Sequence, residues 1–428
     1  MVVFVKNKHG EALMPCSERK ARLLLRDKKA KIIEYKPFTV QLMYGSYGYK
    51  QPTAVGIDLG ARHVGFAITS GESMLEKGEI ELRQDVKGNL ETKKIYRRSR
   101  RNRKTRYRKA RFLNRTKSKQ KGWLPPSLES RIQNTFRWID KLVTSVPQPK
   151  LVIEVAKFDV QKMLNPEIEG TEYQEGQAHG YHDVRYYVLA RDNYTCQVCK
   201  KKDDDILNTH HIIYRSEGGS NRADNLITVG TKCHTSKNHK KGKILWKWMQ
   251  EGKKTKQYKE PPFMNILCKR TFERYPDATI TYGSITTPKR KELGLEKSHY
   301  NDAIAITGID LIKKNTEDIL MFKQVRKKKR SLHEATARKG RKEKNTAAKR
   351  NSKNTPKVGD FHLYDTVSIG GKIGFISGFS GKTQCYVKNI FGDYVTISPK
   401  YKMVGLKKLN RLAHNNNWIQ QRTPAYAG

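Results

Sequence analysis

The stretch that most constrains the fold runs Ala54-Val-Gly-Ile-Asp-Leu-Gly-Ala-Arg-His-Val-Gly-Phe-Ala-Ile68. An apolar run ends in Asp58, a glycine-containing turn follows, and a second alternating run carries the chain back. This is the pattern of a β-hairpin with one carboxylate on a central strand. Two later segments supply partners. Leu151-Val-Ile-Glu-Val reads as a buried strand bearing Glu154. His299-Tyr-Asn-Asp-Ala-Ile-Ala-Ile opens an apolar helix, read to Ile312, with His299 and Asp302 in its first turn. Three carboxylates in apolar frames repel one another if gathered unpaired. Divalent cations make that arrangement stable, and two-metal hydrolysis of a phosphodiester needs such a cluster. The expectation is that Asp58, Glu154 and Asp302 hold two Mg2+ ions on an RNase H-like sheet, with His299 as proton acceptor. The competing reading is a sugar-kinase or actin-like sheet, in which Asp-x-Gly turns bind ATP phosphates. The basic run and the insert described below weigh against it.

The chain has 428 residues, enough for about three domains. Lys and Arg total 87 against 41 acids, a formal charge of +46. Self-repulsion on that scale points to a polyanion as the normal partner. No apolar run approaches the length of a membrane span, so no membrane partner is expected. Lys6, Asn7, Lys8 and His9 interrupt any signal-peptide pattern. Six cysteines in so long a chain do not make a disulfide scaffold, whereas the pair Cys196-x-x-Cys199 indicates metal or redox chemistry in a reducing compartment. These features predict a cytoplasmic protein that binds nucleic acid.

Residues 1–50 read as a small α/β module. Val2-Val-Phe-Val is a short strand, Ser17 caps a basic helix over Glu18–Asp27, and Lys31–Tyr35 and Phe38–Met43 alternate as paired strands. After the Asp58 hairpin, Lys77–Arg83 continues the sheet, and then the composition changes sharply. Positions 97–121 hold 14 Lys/Arg and no acid, with Tyr107 and Phe112 interleaved. No Pro or Gly interrupts the run, so a long helix is expected once phosphates neutralise it. Its candidate nucleic-acid contacts are Arg97, Arg98, Arg100, Arg101, Arg103, Lys104, Arg106, Arg108, Lys109, Arg111 and Arg115. A solvated tail is the usual reading of such a run, but this one sits between two strands of one presumed domain. Ser127–Val146 is amphipathic, residues 165–180 read as a linker, and Ala278–Tyr282 reads as a strand. Residues 325–357 are very basic, and from Val358 onward Val/Ile/Phe/Tyr alternation with frequent Gly predicts a small β-barrel-like module.

Between Tyr181 and Met249 lies a compact insert carrying Cys196-x-x-Cys199, His210-His211-Ile, Asn225-Leu, Cys233-His234 and Asn238. This is the spacing of a ββα-metal (HNH) nuclease. The chemistry needs one divalent cation at the scissile phosphate and a neutral imidazole to deprotonate water. His211 is the expected base, and His210 and His234 the ligands of one Mg2+. Asn238, one helical turn beyond His234, is the candidate third ligand. Asn225 holds the loop and orients His211. Cys196, Cys199 and Cys233 either bind Zn2+ with an outside fourth ligand or form a metal-free knuckle, because Gly230 stands where a second C-x-x-C pair needs a cysteine.

With these residues in view, the chain resembles the IscB family, transposon-encoded RNA-guided nucleases regarded as ancestors of the type II CRISPR effectors. The split RuvC-like core, the Arg-rich helix after its first segment and the HNH module between its second and third segments carry the resemblance. Ala12-Leu-Met-Pro15 is similar to that family's Pro-Leu-Met-Pro signature, and Gly122-Trp-Leu-Pro is similar to its segment after the bridge helix. The resemblance implies an N-terminal module over 1–52, RuvC-like segments over 53–92, 123–163 and 257–322, and a bridge helix over 93–122. It implies linkers and an HNH nuclease over 164–256, and a basic linker with a β-rich C-terminal domain over 323–428. It further implies a bound guide (ωRNA), a double-stranded DNA target and a protein monomeric within a ribonucleoprotein. Base pairing would read the target and the protein a short flanking motif. His211 would cut the guide-paired strand. Asp58, Glu154, His299 and Asp302 would cut the displaced strand. The readings left open beside it are an endonuclease that needs no guide and a non-cleaving RNA–DNA binding protein.

Overall fold

The computed structural model describes residues 2–45, 47–91, 123–155, 183–201, 206–251, 260–313, 316–326, 356–397 and 401–424. The arginine-rich run, including Arg97 through Arg115, lies outside the described residues, as does the linker expected at 165–180. The chain divides into two units, Met1–Ala156 with Phe263–Gly428, and Lys157–Pro262. Among the described residues no helix is long and apolar enough to cross a membrane.

The first unit opens with β1 (Val2–Lys6), β2 (Ala12–Ser17), α1 (Glu18–Arg26), β3 (Ala30–Tyr35) and β4 (Phe38–Leu42). The strands form a sheet in the order β2-β1-β4-β3. Ser17 Oγ accepts the Lys20 N–H at 3.3 Å, the expected helix cap. Alternation on β1 and β4 turns Val3, Val5 and Val40 inward, where Leu13, Ala21 and Ala30 complete a small core.

The main sheet follows, built from β5 (Thr53–Leu59), β6 (His63–Ser70), β7 (Ser73–Glu81) and β8 (Pro149–Glu154), with α2 (Pro126–Val143) before β8. Strands β5, β6 and β7 are antiparallel neighbours, and β8 runs parallel to β5. Pleating divides the side chains between two faces. Val55, Ile57, Val64 and Phe66 line one face, and Trp138 of α2 reaches Phe322, whose ring also neighbours Phe66. Asp58, Gly56 and Gly65 share the opposite face.

The second unit contains α3 (Val184–Arg191), β9 (Leu207–His211), β10 (Leu226–Gly230) and α4 (Ile244–Glu251). Asp183 caps α3, accepting from Arg185 N at 2.7 Å. Strands β9 and β10 are antiparallel, with His211 opposite Leu226 and His210 opposite Ile227. Val188, Ala223 and Leu226 form the core that α3 presses against this pair.

The chain re-enters the first unit through α5 (Pro261–Arg274), β11 (Thr279–Thr281), α6 (Gly283–Glu292), α7 (His299–Ile306) and β12 (Asp318–Gln324). Helix α7 ends at Ile306, earlier than the apolar pattern indicates, and the strand β12 was not evident in the sequence. The C-terminal module has a two-residue pair, β13 (Lys357–Val358) with β14 (Phe361–His362). Its main strands are β15 (Thr366–Ile369), β16 (Lys372–Ser380), β17 (Gln384–Lys388), β18 (Met403–Gly405) and β19 (Asn410–Ala413). These form a five-stranded antiparallel sheet ordered β18-β17-β16-β15-β19, with no pairing of its two end strands among the described residues. That replaces the barrel-like closure expected from sequence. The final strand, β20 (Trp418–Pro424), leaves this module and pairs antiparallel with β12, giving a main sheet ordered β11-β8-β5-β6-β7-β12-β20. The C-terminal domain expected over 323–428 therefore contributes its last strand to the core. Arg422 of β20 is ion-paired with the fully buried Glu76 of β7.

Glycines decide how α7 meets the sheet. A Cβ on Gly65 would stand 2.0 Å from His299 O, and one on Gly56 would stand 2.2 Å from Ala303 O. The helix backbone lies directly on the strands, with no side-chain layer between. Gly65→Ala is expected to destabilise the protein by at least about 1–3 kcal/mol through overpacking. Gly88→Ala, where nothing lies within 4 Å of the added carbon, should be close to neutral. Urea denaturation of the two variants checks the contrast.

Candidate functional site

In the first unit, two parallel strands bring two acids side by side. Asp58, the penultimate residue of β5, is the register partner of Glu154 at the end of β8. Ser298 caps α7 by accepting the Asn301 N–H at 3.2 Å, so the helix begins at His299. Its first turn carries His299 and Asp302 over the same end of β5. His299 Nδ1 lies 2.5 Å from Asp58 Oδ2. Asp302 Oδ1 forms an ion pair with Nε of Arg290 in α6 at 2.7 Å. Thr286, also in α6, donates its hydroxyl to Glu154 Oε2 at 2.5 Å. The structure thus brings Asp58, Glu154, His299 and Asp302 together.

Crowding of negative charge bears on the proton affinity of these groups. Burial raises the Glu154 carboxyl, the Asp58 and Asp302 charges raise it further, and the Thr286 hydroxyl opposes them. Asp302 is raised by burial and by Asp58, with Arg290 opposing. The His299 imidazole is raised chiefly by its hydrogen bond to Asp58, against burial. A divalent cation would reverse the first two effects. Carboxylate oxygens are the donors that Mg2+ favours, so the residues fit that ion.

Four neighbours escaped the sequence reading. Besides Thr286 and Arg290, the His63 ring stacks on His299 with centroids 5.9 Å apart and planes 2° from parallel. His63 is held in turn by the buried Glu79 of β7. The signal for His63 and Glu79 was present in the hairpin alternation, which sets both on the Asp58 face. Nothing local marks Thr286 or Arg290.

In the second unit the tightest donor group is His210, His234 and His239, whose ring nitrogens lie within 4.8 Å of one another. His210 Nδ1 is 3.2 Å from His234 Nε2, and the buried His210 Nε2 makes no hydrogen bond. His239 joins His210 and His234 where Asn238 was the expected third ligand. Residues 231–243 form turns rather than the helix which that expectation assumed. The Asn238 side chain instead donates to Cys233 O at 2.8 Å, and His239 takes the third place. The donors become three imidazole nitrogens without the amide oxygen, a set that suits a first-row transition ion better than Mg2+.

His211, on the alternate face of β9, is separate from this group. Arg215 Nε donates to His211 Nε2 at 3.2 Å, and Asn221 Oδ1 lies 2.9 Å from the same nitrogen. Whether that nitrogen donates to Asn221 or accepts from Arg215 depends on the ring's tautomer, and both side chains fix the ring's position. Asn225 is fully buried. Its side chain accepts from Ile213 N at 2.9 Å and donates to Ser220 O at 2.8 Å, clamping the turn after His211. The loop-holding part of its expected role is therefore visible, while Asn221 and Arg215 contact the ring itself.

Cys196, Cys199 and Cys233 also converge within 4.8 Å. Burial, reinforced by the other two cysteines, pushes the Cys233 thiol up to about 12, a cost that a bound metal would remove by ionising it. Gly230 ends β10 and its carbonyl accepts from Cys233 N at 3.0 Å, so no fourth thiol comes from that side. Three thiols fit Zn2+ with one ligand from outside.

The chain matches the family model described as RRXRR protein over residues 3–176, and the model described as HNH endonuclease over residues 196–240. The second match spans every cysteine and histidine of the insert's two donor groups. Together they support an HNH-type nuclease. No curated protein matches the chain. Among solved structures, Streptococcus thermophilus Cas9 in complex with AGGA PAM is similar at 15% identity and a TM-score of 0.28, covering 59% of this chain. This chain spans 32% of that protein's length.

The histidine group carries a pH dependence. Burial, with His234, His239 and His211 nearby, pushes the His210 imidazole down to about 4 from an ordinary 6.5. Below pH 6.5 the unfolded chain takes up a proton that the folded insert refuses, so His210 costs stability progressively as pH falls, levelling off below about 4. Amide protection factors of β9 and β10 in metal-stripped protein, corrected for the intrinsic exchange rate at each pH, should fall over that window, and His210→Asn should remove that part of the acid sensitivity.

Proposed function

We propose that the protein is an RNA-guided DNA endonuclease, its HNH insert cutting the guide-paired strand and its main sheet cutting the displaced strand. The observation that carries this reading is the meeting of Asp58, Glu154, His299 and Asp302, drawn from three separate stretches of sequence, in a chain that also bears an HNH unit. The strand order supports a split RuvC-like core, with an acid on the first strand, a second acid on a parallel neighbour and a third on a helix across them. The interruption between β8 and α5 holds the insert, as a split core requires. A net charge of +46 suits a protein wrapped around polyanions.

In this reading Asp58, Glu154 and Asp302 hold the Mg2+ ions, and His210, His234 and His239 hold the insert's divalent cation. Bound cations supply neutralisation of the scissile phosphate and of the departing oxygen. His211 accepts the proton of the water attacking the guide-paired strand, with Arg215 and Asn221 fixing its ring. His299 does the same for the displaced strand, its basicity increased by Asp58. Thr286 and Arg290 keep Glu154 and Asp302 pointing into the site before an ion arrives. The arginine-rich run binds the guide, and the C-terminal module reads the motif flanking the target. The protein acts as a monomer within a cytoplasmic ribonucleoprotein. Zn2+ at Cys196, Cys199 and Cys233 is structural, serving the insert's fold.

His211→Ala is expected to leave a nickase acting only on the displaced strand, and Asp58→Ala the reciprocal nickase. Strand-labelled cleavage of a matched duplex reads both, and loss of both cuts from either change would sink the two-site assignment. A defined RNA should co-purify with the protein. Full cleavage by RNA-free protein would instead make it a nuclease that needs no guide.

A further inference from the structure

The C-terminal module carries a third group of donors, to which the nuclease reading gives no role. His362 ends β14, Asp365 lies three residues on, and His414 is the first residue after β19. Their donor atoms all lie within 4.8 Å of one another. Asp365 is fully buried. Its Oδ2 accepts the His362 backbone N–H at 2.9 Å, and its Oδ1 accepts that of Asn415 at 3.0 Å. Two imidazoles stand at the remaining positions. His414 Nδ1 is 3.3 Å from each carboxylate oxygen. His362 Nδ1 is 3.9 Å from Oδ2, beyond hydrogen-bond reach.

That His362 nitrogen is buried and has no hydrogen-bond partner. Either tautomer leaves a cost. With a proton on Nδ1, a buried donor lacks an acceptor; without one, a lone pair faces a carboxylate. A cation among the three groups satisfies both the nitrogen and the carboxylate.

We propose that His362 Nδ1, the Asp365 carboxylate and His414 Nδ1 bind one divalent first-row transition ion of the Zn2+ type, as a structural clip. Two imidazoles with one carboxylate select such an ion over Ca2+ or the all-oxygen sphere of Mg2+. Donors about 2.0–2.2 Å from a shared tetrahedral ion stand roughly 3.3–3.6 Å apart. The His414 spacing already matches, and a small rotation of His362 brings in the third donor. The His414 side chain is 56% exposed, so water completes the sphere.

The position gives the clip its purpose. After β19 the chain crosses in four residues, 414–417, to join the main sheet as β20. An ion held by His414 on the crossing and by His362 and Asp365 in the module ties the departing strand to the sheet it leaves. The proposal is independent of the guide and of either cleavage centre.

The test uses full-length protein stripped of metal and nucleic acid, titrated with Zn2+ by equilibrium dialysis. The insert's cysteine and histidine groups bind in parent and variants alike. His414→Ala and His362→Ala should each bind one equivalent fewer, or bind that equivalent at least about 100-fold more weakly, given that even outer-shell changes cost 10–100-fold. Zn2+ should slow amide exchange across residues 414–417 in the parent and not in His414→Ala, and His414→Cys, which restores a ligand, should recover the effect. Equal stoichiometry and affinity in all three proteins would overturn the proposal. So would variants whose loss of stability is the same with and without Zn2+, because the histidines would then act only through hydrogen bonds.

Discussion

Close approach of helix α7 to the strands beneath it governs the geometry of the acidic centre. Gly56 and Gly65 let the helix backbone rest on the sheet, with His299 O and Ala303 O where side-chain carbons would otherwise be. A spacer of one methyl group on either strand would lift the first turn of the helix. That turn holds His299, whose ring must come within a hydrogen bond of Asp58, and Asp302, whose charge must be felt by Glu154. Packing at such points is unforgiving because protein interiors are already dense. The two glycines therefore act on the chemistry without touching it.

The second constraint is electrostatic. Burial and the charge of Asp58 raise the proton affinity of Glu154 and Asp302, and the fold gives each of the three acids a local partner. His299 serves Asp58, Thr286 serves Glu154 and Arg290 serves Asp302. Buried charges persist when they are paired in this way. The insert solves the opposite problem. Burial, with the neighbouring imidazoles, keeps the His210 ring neutral and ready to act as a ligand. One chain thus holds an oxygen-rich centre suited to a hard cation and a nitrogen-rich centre suited to a softer one.

The chain's distant parts are knitted at one edge of the main sheet. Strand β20 brings Arg422 to the buried Glu76, while Lys36 of the N-terminal module donates to Asn416 Oδ1 at 3.3 Å and to Trp418 O. Burial pulls the Lys36 ammonium down to about 8 even though Asp365 draws it upward. His362, Asp365 and His414 lie at the same crossing. The C-terminal sheet is thereby held to the core through its exit strand.

Periodicity alone was enough for the Asp58 hairpin, the Glu154 strand, the start of the His299 helix and the N-terminal module, because each is a local pattern of apolar residues against a buried face. The insert's Cys-x-x-Cys and His-His pairs were equally legible, since short spacings survive whatever the chain does around them. Asn238 was the expected third ligand because a helix was assumed there, and with turns in its place His239 joins His210 and His234. Thr286 and the return of β20 to the core were invisible for a different reason. They depend on which segments become neighbours across hundreds of residues, and no local pattern encodes that. What the amino-acid order determined was which side chains could carry chemistry and on what kind of element. Which of them meet, and which partner steadies each charge, was decided only when the strands paired and α7 settled on its glycines, because contact energies act through space rather than along the chain.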